Sequence, residues 1–200
     1  MILRSLFLIF ILFFPSFSFA NSVSILILGD SLSASYGMSE KEGWVHQLNQ
    51  ELDDYELINV SVSGETTGGA LRRLPKLLET HQPDWVFVEL GGNDGLRGFP
   101  PSLLKSNLTK IIDASISSGS GVLLSEVMIP PNYGPRYTQA FEAVYEQLHQ
   151  ELEVPLVPFF MIDIAPNPEL MQRDGIHPNR QAQPIIVDFM KRELVKALSM

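Results

Sequence analysis

From Val23 to Leu198 the chain alternates short, continuously apolar runs with longer stretches whose apolar residues recur every three or four positions. Val23–Leu28 (VSILIL), Tyr55–Val60 (YELINV), Trp85–Leu90 (WVFVEL), Val122–Ser125 and Val154–Val157 read as five strands. Trp44–Leu52, Thr67–Leu78, Pro101–Ile116, Tyr137–Leu152 and Gln181–Leu198 read as helices. Pro101 suits a first helical turn, whereas Pro75 falls inside a helix and is expected to kink it. Helices between strands imply crossover connections, hence a parallel sheet covered on both faces. Strands without polar alternation fit that placement, because parallel strands are buried on both sides. The expected fold is α/β: one three-layer α/β/α domain over residues 21–200, without repeats or an interdomain linker. In such sheets ligands sit beyond the carboxyl ends of the strands. Polar residues directly after a strand therefore carry the search for chemistry.

Composition removes several alternatives. The chain has no cysteine, which excludes disulfides, thiolate nucleophiles, cysteine-ligated zinc and iron–sulfur clusters. Its formal charge of −9 repels phosphate backbones, so no nucleic-acid partner is expected. Asp53-Asp54 lacks calcium-loop spacing and there is no HExxH, so no metal site is expected.

Residues 1–20 have a different character. Arg4 precedes the apolar run Ser5–Phe14, Pro15 breaks that run, and Ser18-Phe19-Ala20 places small residues at both ends of a cleavage signature. This is the order of a secretory signal peptide. The run is shorter than the roughly 20 apolar residues of a membrane span. Cleavage after Ala20 is expected, leaving an exported protein without a membrane anchor. Its location is periplasmic in a Gram-negative source and secreted otherwise. A monomer is expected.

Three strand ends and one late turn carry polar groups that acyl transfer could use. The first strand ends in Gly29-Asp30-Ser31-Leu32-Ser33, where Ser31 either caps the next helix or presents a hydroxyl at the sheet edge. A serine hydroxyl needs a base. His46, His81 and His149 fall in or at the ends of helices, where histidines are ordinary surface residues. His177 instead lies in Arg173-Asp174-Gly175-Ile176-His177-Pro178-Asn179, a turn with Asp174 three residues earlier. A carboxylate at that offset can take the Nδ1 proton and leave Nε2 for Ser31, unless Asp174 is only a turn former. The second strand leads to Ser61-Val62-Ser63-Gly64-Glu65 and the third to Gly91-Gly92-Asn93-Asp94. Gly64 can offer a backbone N–H and Asn93 a side-chain amide to a developing oxyanion, although both also suit plain loops.

The ordered blocks GDSLS, VSGET, ELGGND and DGIHP resemble those of the SGNH (or GDSL) hydrolase family. LILGDSLSASYGM, VELGGNDGLRG, PNYGPRY, VPLVPFF and DGIHPNRQAQP extend the likeness across the mature chain, toward exported bacterial thioesterases of that family. The resemblance implies a flavodoxin-like sheet of order 2-1-3-4-5. It also implies a catalytic set of Ser31, Asp174 and His177, and an oxyanion hole from Ser31, Gly64 and Asn93. Its implied activity covers acyl-CoA thioesters, lysophospholipids and small aryl or alkyl esters, without cofactor. Three segments depart from the family pattern: SYG at 35–37, TTGGA at 66–70 and APNPEL at 165–170.

For the acyl group, Gly95–Pro100 (GLRGFP) has glycines on both sides of Leu96-Arg97 and is expected to move with substrate. Leu96, Ile129, Pro130 and Ile176 are expected to line the groove. The rival readings are an exported acetylesterase acting on carbohydrate or peptidoglycan, and a noncatalytic lipid-binding module.

Overall fold

The computed structural model describes residues 22–199. The leader proposed for residues 1–20 lies outside the described residues. Five strands form one parallel sheet: β1 (Val23–Gly29), β2 (Tyr55–Asn59), β3 (Trp85–Glu89), β4 (Gly121–Ser125) and β5 (Leu156–Val157). Their spatial order is β2-β1-β3-β4-β5. Helices α1 (Trp44–Asn49) and α6 (Gln183–Leu198) pack together. Helices α2 (Thr67–His81), α4 (Pro101–Ser117) and α5 (Pro135–Leu152) pack in series, and the short α3 (Gly92–Leu96) follows β3.

The strands are apolar because both faces are covered. Ile25, Leu26, Ile27, Leu28, Val86, Phe87, Val88, Leu123 and Leu124 have no exposed surface. From the helices, Leu74, Leu108, Ile111, Phe141, Leu148 and Met190 close over them, and Trp44 meets Phe87 edge-on with ring centroids 6.3 Å apart. Each such side chain contributes about 1.5–3 kcal/mol on burial. Local sequence sets the ends of the elements. Thr66 caps α2 by accepting from the Gly69 N–H at 3.2 Å, and Pro101 occupies the first turn of α4.

The predicted elements are all present, with shifted ends. Helix α1 stops at Asn49 because that side chain accepts the Leu57 N–H of β2 at 2.6 Å. Helix α2 runs unbroken through Pro75, with Leu74 and Leu78 buried on either side. Strand β5 keeps two residues because Pro155 and Pro158 flank it and proline cannot donate to a ladder. Gly95–Pro100 is only partly loop, since Gly95 and Leu96 belong to α3.

Register decides where the chemistry emerges. Gly29 of β1 pairs with Glu89 of β3, so the segments starting at Asp30 and Leu90 leave the sheet side by side.

Candidate active site

The chain reverses directly after β1. The Ala34 N–H donates to the Asp30 carbonyl at 3.0 Å and the Tyr36 N–H to the Ser31 carbonyl at 3.3 Å. This turn sets the Ser31 side chain at the carboxyl end of β1. Ser35 closes the turn at φ +58°, a left-handed conformation unusual for a residue with a side chain.

The late turn brings His177 to the same edge. Its Nε2 lies 2.8 Å from Ser31 Oγ and its Nδ1 lies 2.7 Å from Asp174 Oδ2. The other carboxylate oxygen, Asp174 Oδ1, accepts the Ile176 and His177 N–H groups, each at 3.0 Å. Burial alone would raise the Asp174 carboxyl, but the His177 ring and these two backbone donors outweigh it and hold it at about 2. Asp174 is then an acceptor only. The Nδ1 proton therefore points to it, and Nε2 is left to accept from the serine hydroxyl. Gly175 permits the reversal at φ +66°.

Two further residues hold the imidazole: Tyr36, from the departing segment SYG, and Gln172, which lies in none of the motif blocks. The Tyr36 ring stacks on it with centroids 4.2 Å apart and planes tilted by 30°. The Gln172 N–H donates to the His177 carbonyl at 2.7 Å, while Gln172 Nε2 donates to the Tyr36 carbonyl at 2.7 Å and the Pro178 carbonyl at 3.0 Å. Gln172 thus ties the histidine turn to the serine turn.

The proposed oxyanion donors surround Ser31 unevenly. Asn93, on α3, donates from Nδ2 to Asp30 Oδ2 at 3.0 Å, leaving its second amide hydrogen available. Among the described residues, neither the Ser31 nor the Gly64 N–H donates a hydrogen bond. Gly64 has φ +78° and lies on the β2–α2 loop. Its carbonyl accepts from Arg97 at 3.1 Å, and Val62 fastens the loop to the Gly29 carbonyl at 3.1 Å. Ser31, Asn93 and His177 line a common cavity, whereas Gly64 stands outside its lining.

That cavity has a volume of about 700 Å³, within the range of small-molecule sites. Leu96, Ile129, Pro130 and Ile176 all line it. Sequence reading missed Phe159, Met161, Ile162, Ala165, Pro166 and Met171 in the same wall. They follow β5, and their position after a fifth strand on the same sheet edge was the available signal. The departing segment at 165–170 therefore contributes to the pocket through Ala165 and Pro166.

Beneath the site lie buried carboxyls that sequence reading left aside. Asp30 accepts the Leu32 N–H and the Asn93 amide, while burial pushes its carboxyl up to about 6 against those bonds. Asp94 accepts the Thr67 N–H at 2.9 Å and the Thr67 hydroxyl at 2.5 Å, joining α2 to α3. Among the described residues, no group of three or more His, Asp or Glu is arranged to hold a metal ion.

Comparison with known proteins adds the lineage. The chain is 47% identical over 181 residues to an arylesterase of Vibrio mimicus, covering 88% of this chain and 90% of the relative. It is 48% identical over 180 residues to the thioesterase 1/protease 1/lysophospholipase L1 of Escherichia coli K12, covering 90% and 86%. The fold superposes on the psychrotrophic esterase EstA from Pseudoalteromonas, inhibited by monoethylphosphonate, with a TM-score of 0.87 and 49% identity over 88% and 99% of the two chains. The sequence profile of the GDSL-like lipase/acylhydrolase family matches residues 27–183. The chain, with its Ser31–His177–Asp174 relay opening on an apolar cavity, belongs to that family.

Proposed function

We propose that this protein hydrolyses esters and thioesters of apolar acyl groups by two-step acyl transfer, with Ser31 as nucleophile. One observation carries the reading: a hydrogen-bonded Ser31–His177–Asp174 relay opens on a cavity walled by Leu32, Leu96, Val127, Ile129, Phe159 and Met161. His177 Nε2 takes the Ser31 proton as Oγ attacks the acyl carbon. The tetrahedral oxyanion is held by the N–H groups of Ser31 and Gly64 and by the Asn93 amide. His177 then protonates the leaving thiolate or alkoxide. Water repeats the sequence on the acyl-serine, releasing the acid and restoring Ser31. The names of the arylesterase and thioesterase relatives support both leaving-group classes.

The apolar wall favours an acyl chain over an acetylated sugar, because each buried methylene contributes about 0.8 kcal/mol. We assign residues 1–20 to a cleaved export signal, with the mature protein acting as a monomer outside the cytoplasm. Among the described residues, no helix is long and apolar enough to cross a membrane.

Labelling with an organophosphonate followed by peptide mapping tests the centre of the reading, and Ser31 is the expected adduct. A label elsewhere, or turnover surviving in Ser31→Ala, overturns it. Faster turnover of acetylated glycans than of long acyl thioesters would move the substrate assignment to the sugar esters. An N-terminus of the secreted form other than Asn21 would displace the cleavage site.

A further inference from the structure

One buried carboxyl next to Ser31 has no part in the acyl-transfer steps. Glu89, the last residue of β3, has no exposed surface. Its Oε2 accepts the Ser33 hydroxyl at 2.7 Å and the Asp30 N–H at 3.3 Å. Those two donors bracket the nucleophile in sequence. Gly29 leaves room for the contact, since a Cβ there would stand 2.7 Å from the same oxygen. Asp30 carries the connection forward: Oδ1 accepts the Leu32 N–H at 3.0 Å and Oδ2 holds the Asn93 amide at 3.0 Å. One side chain of β3 thus fixes the turn, and the turn fixes the amide donor.

The chemistry favours a neutral acid at Glu89. Its Oε1 is buried without a protein partner, and the Asp30 carboxyl is close by. An ionised Glu89 would combine an unpaired buried charge with a second carboxylate, the arrangement that interiors disfavour most. Burial first, and then the Asp30 charge, push its carboxyl well above the usual range.

Resting on the oxyanion-hole reading above, we propose that Glu89 is a positioning residue for that hole. As a neutral acid it anchors the Asp30–Ser33 turn, so that Asp30 keeps the Asn93 amide directed at the substrate carbonyl oxygen. Glu89 touches no substrate, and its influence runs through Asp30 and Asn93.

The test is a double-mutant cycle in the purified protein, with kcat and KM measured on a short aryl ester and folding followed by thermal melting. Glu89→Gln keeps a neutral acceptor and is expected to stay within about threefold of the parent in kcat, whereas Glu89→Leu is expected to lose about tenfold or more at unchanged KM. Removing a hole donor outright costs about 10²–10³, so a loosened donor accounts for part of that loss. In an Asn93→Ala background the Glu89→Leu effect is expected to shrink to about twofold. A full effect in that background, or Glu89→Gln falling as far as Glu89→Leu, overturns the proposal while leaving the hole intact. An Asn93→Ala variant with parental kcat removes the hole reading and this inference with it. Where Glu89→Leu yields no folded protein, Ser33→Ala replaces it in the cycle. It deletes only the hydroxyl on Oε2, with about a threefold loss of kcat expected in the parent and none beside Asn93→Ala. Any other pattern for that variant refutes the assignment.

Discussion

Gly95 separates cavity shape from catalytic machinery, and Gly95→Ala shows how. A Cβ at this position of α3 would lie 2.6 Å from Ile129 Cγ2 and 2.9 Å from Phe141 Cε2. Carbon contacts settle at about 3.5–4.0 Å, so something must move by about 1 Å. Phe141 is fully buried between Tyr137 and Tyr145, with centroids at 6.4 and 5.8 Å. Ile129 borders the cavity and has room to yield into it. Overpacking costs about 1–3 kcal/mol, and the gain from replacing glycine by alanine in a helix offsets about 0.5–1 kcal/mol. The net loss is about 0–2.5 kcal/mol, which lowers Tm by up to about 10 °C at this chain length. Catalysis should change selectively. A displaced Ile129 shortens the acyl site, and each methylene denied burial costs about 0.8 kcal/mol, or roughly fourfold in kcat/KM. The assay is kcat/KM across a series of aryl esters from acetyl to long acyl, beside thermal melts. Acetyl turnover should hold while the longest esters fall. In Gly95→Ala/Ile129→Ala the nearer of the two clash partners is gone and the new methyl can shift away from Phe141, so the two substitutions should couple favourably by about 0.5 kcal/mol or more. An unchanged chain-length profile, an equal fall for acetyl esters, or strict additivity would each refute the packing argument.

The remaining predictions concern the histidine turn and the buried acids. Asp174→Asn removes the acceptor that fixes the Nδ1 proton and should lower kcat by about 10²–10⁴ with little change in KM, read by steady-state kinetics on one ester. Gln172→Ala removes the side-chain bonds to the Tyr36 and Pro178 carbonyls; at about 1 kcal/mol each, their loss should lower stability by about 2 kcal/mol in urea titrations and slow phosphonate labelling of Ser31. Asp30 is raised by burial from its ordinary 3.8 to about 6, so the stability it allows is complete below pH 3.8 and is lost as pH rises through 6. That loss is on the order of 3 kcal/mol. Asp174, lowered to about 2, acts oppositely: its contribution is present above 3.8 and lost as pH falls toward 2. Urea midpoints should therefore peak near about pH 4, and the decline between about pH 4 and 6 should flatten in Asp30→Asn; an unchanged slope there would contradict the assignment.

The sheet was legible because its strands carry no polar alternation and its helices keep their spacing, so both periods survive in one sequence. Ser31, Asn93, Asp174 and His177 were legible because each is a polar residue at a point where a strand or turn delivers it to one edge. Leu96, Ile129, Pro130 and Ile176 followed from loops adjoining that edge. Gly64 was legible as a glycine, but its place outside the cavity lining and its contact with Arg97 across loops are set by the packing of two loops, which spacing does not encode. The roles of Gln172 and of Tyr36, the latter visible only as part of a departing segment, were not legible because they depend on two turns 136 residues apart meeting in space. Glu89 carried no role in the sequence beyond its place in ELGGND, and only the register against Gly29 gives it a partner.

The distribution of buried polar groups argues that this edge of the sheet is constrained by more than folding. Inside β1, Ile25 to Leu28 are apolar without exception, as are Val86 to Val88 in β3. At and beyond the carboxyl ends the rule reverses: Asp30, Ser33, Glu89 and Asp94 are all buried, and Thr67 of α2 and Asn107 of α4 join them through hydrogen bonds to Asp94 and to Thr67. Buried acids cost stability unless each oxygen is satisfied, and the Asp30–Glu89 pair is satisfied only in part, with Glu89 Oε1 left over. An apolar replacement of similar shape would fill the space at lower cost in stability. It would not hold the Asp30 N–H, the Ser33 hydroxyl and the Asn93 amide in fixed directions around a serine that must stay uncapped. A site of preorganised donors needs rigid polar anchors behind it, and those anchors have to sit where the core would otherwise continue. The acids beneath Ser31 therefore belong with the relay above it, and substitutions there should trade activity for stability in opposite directions.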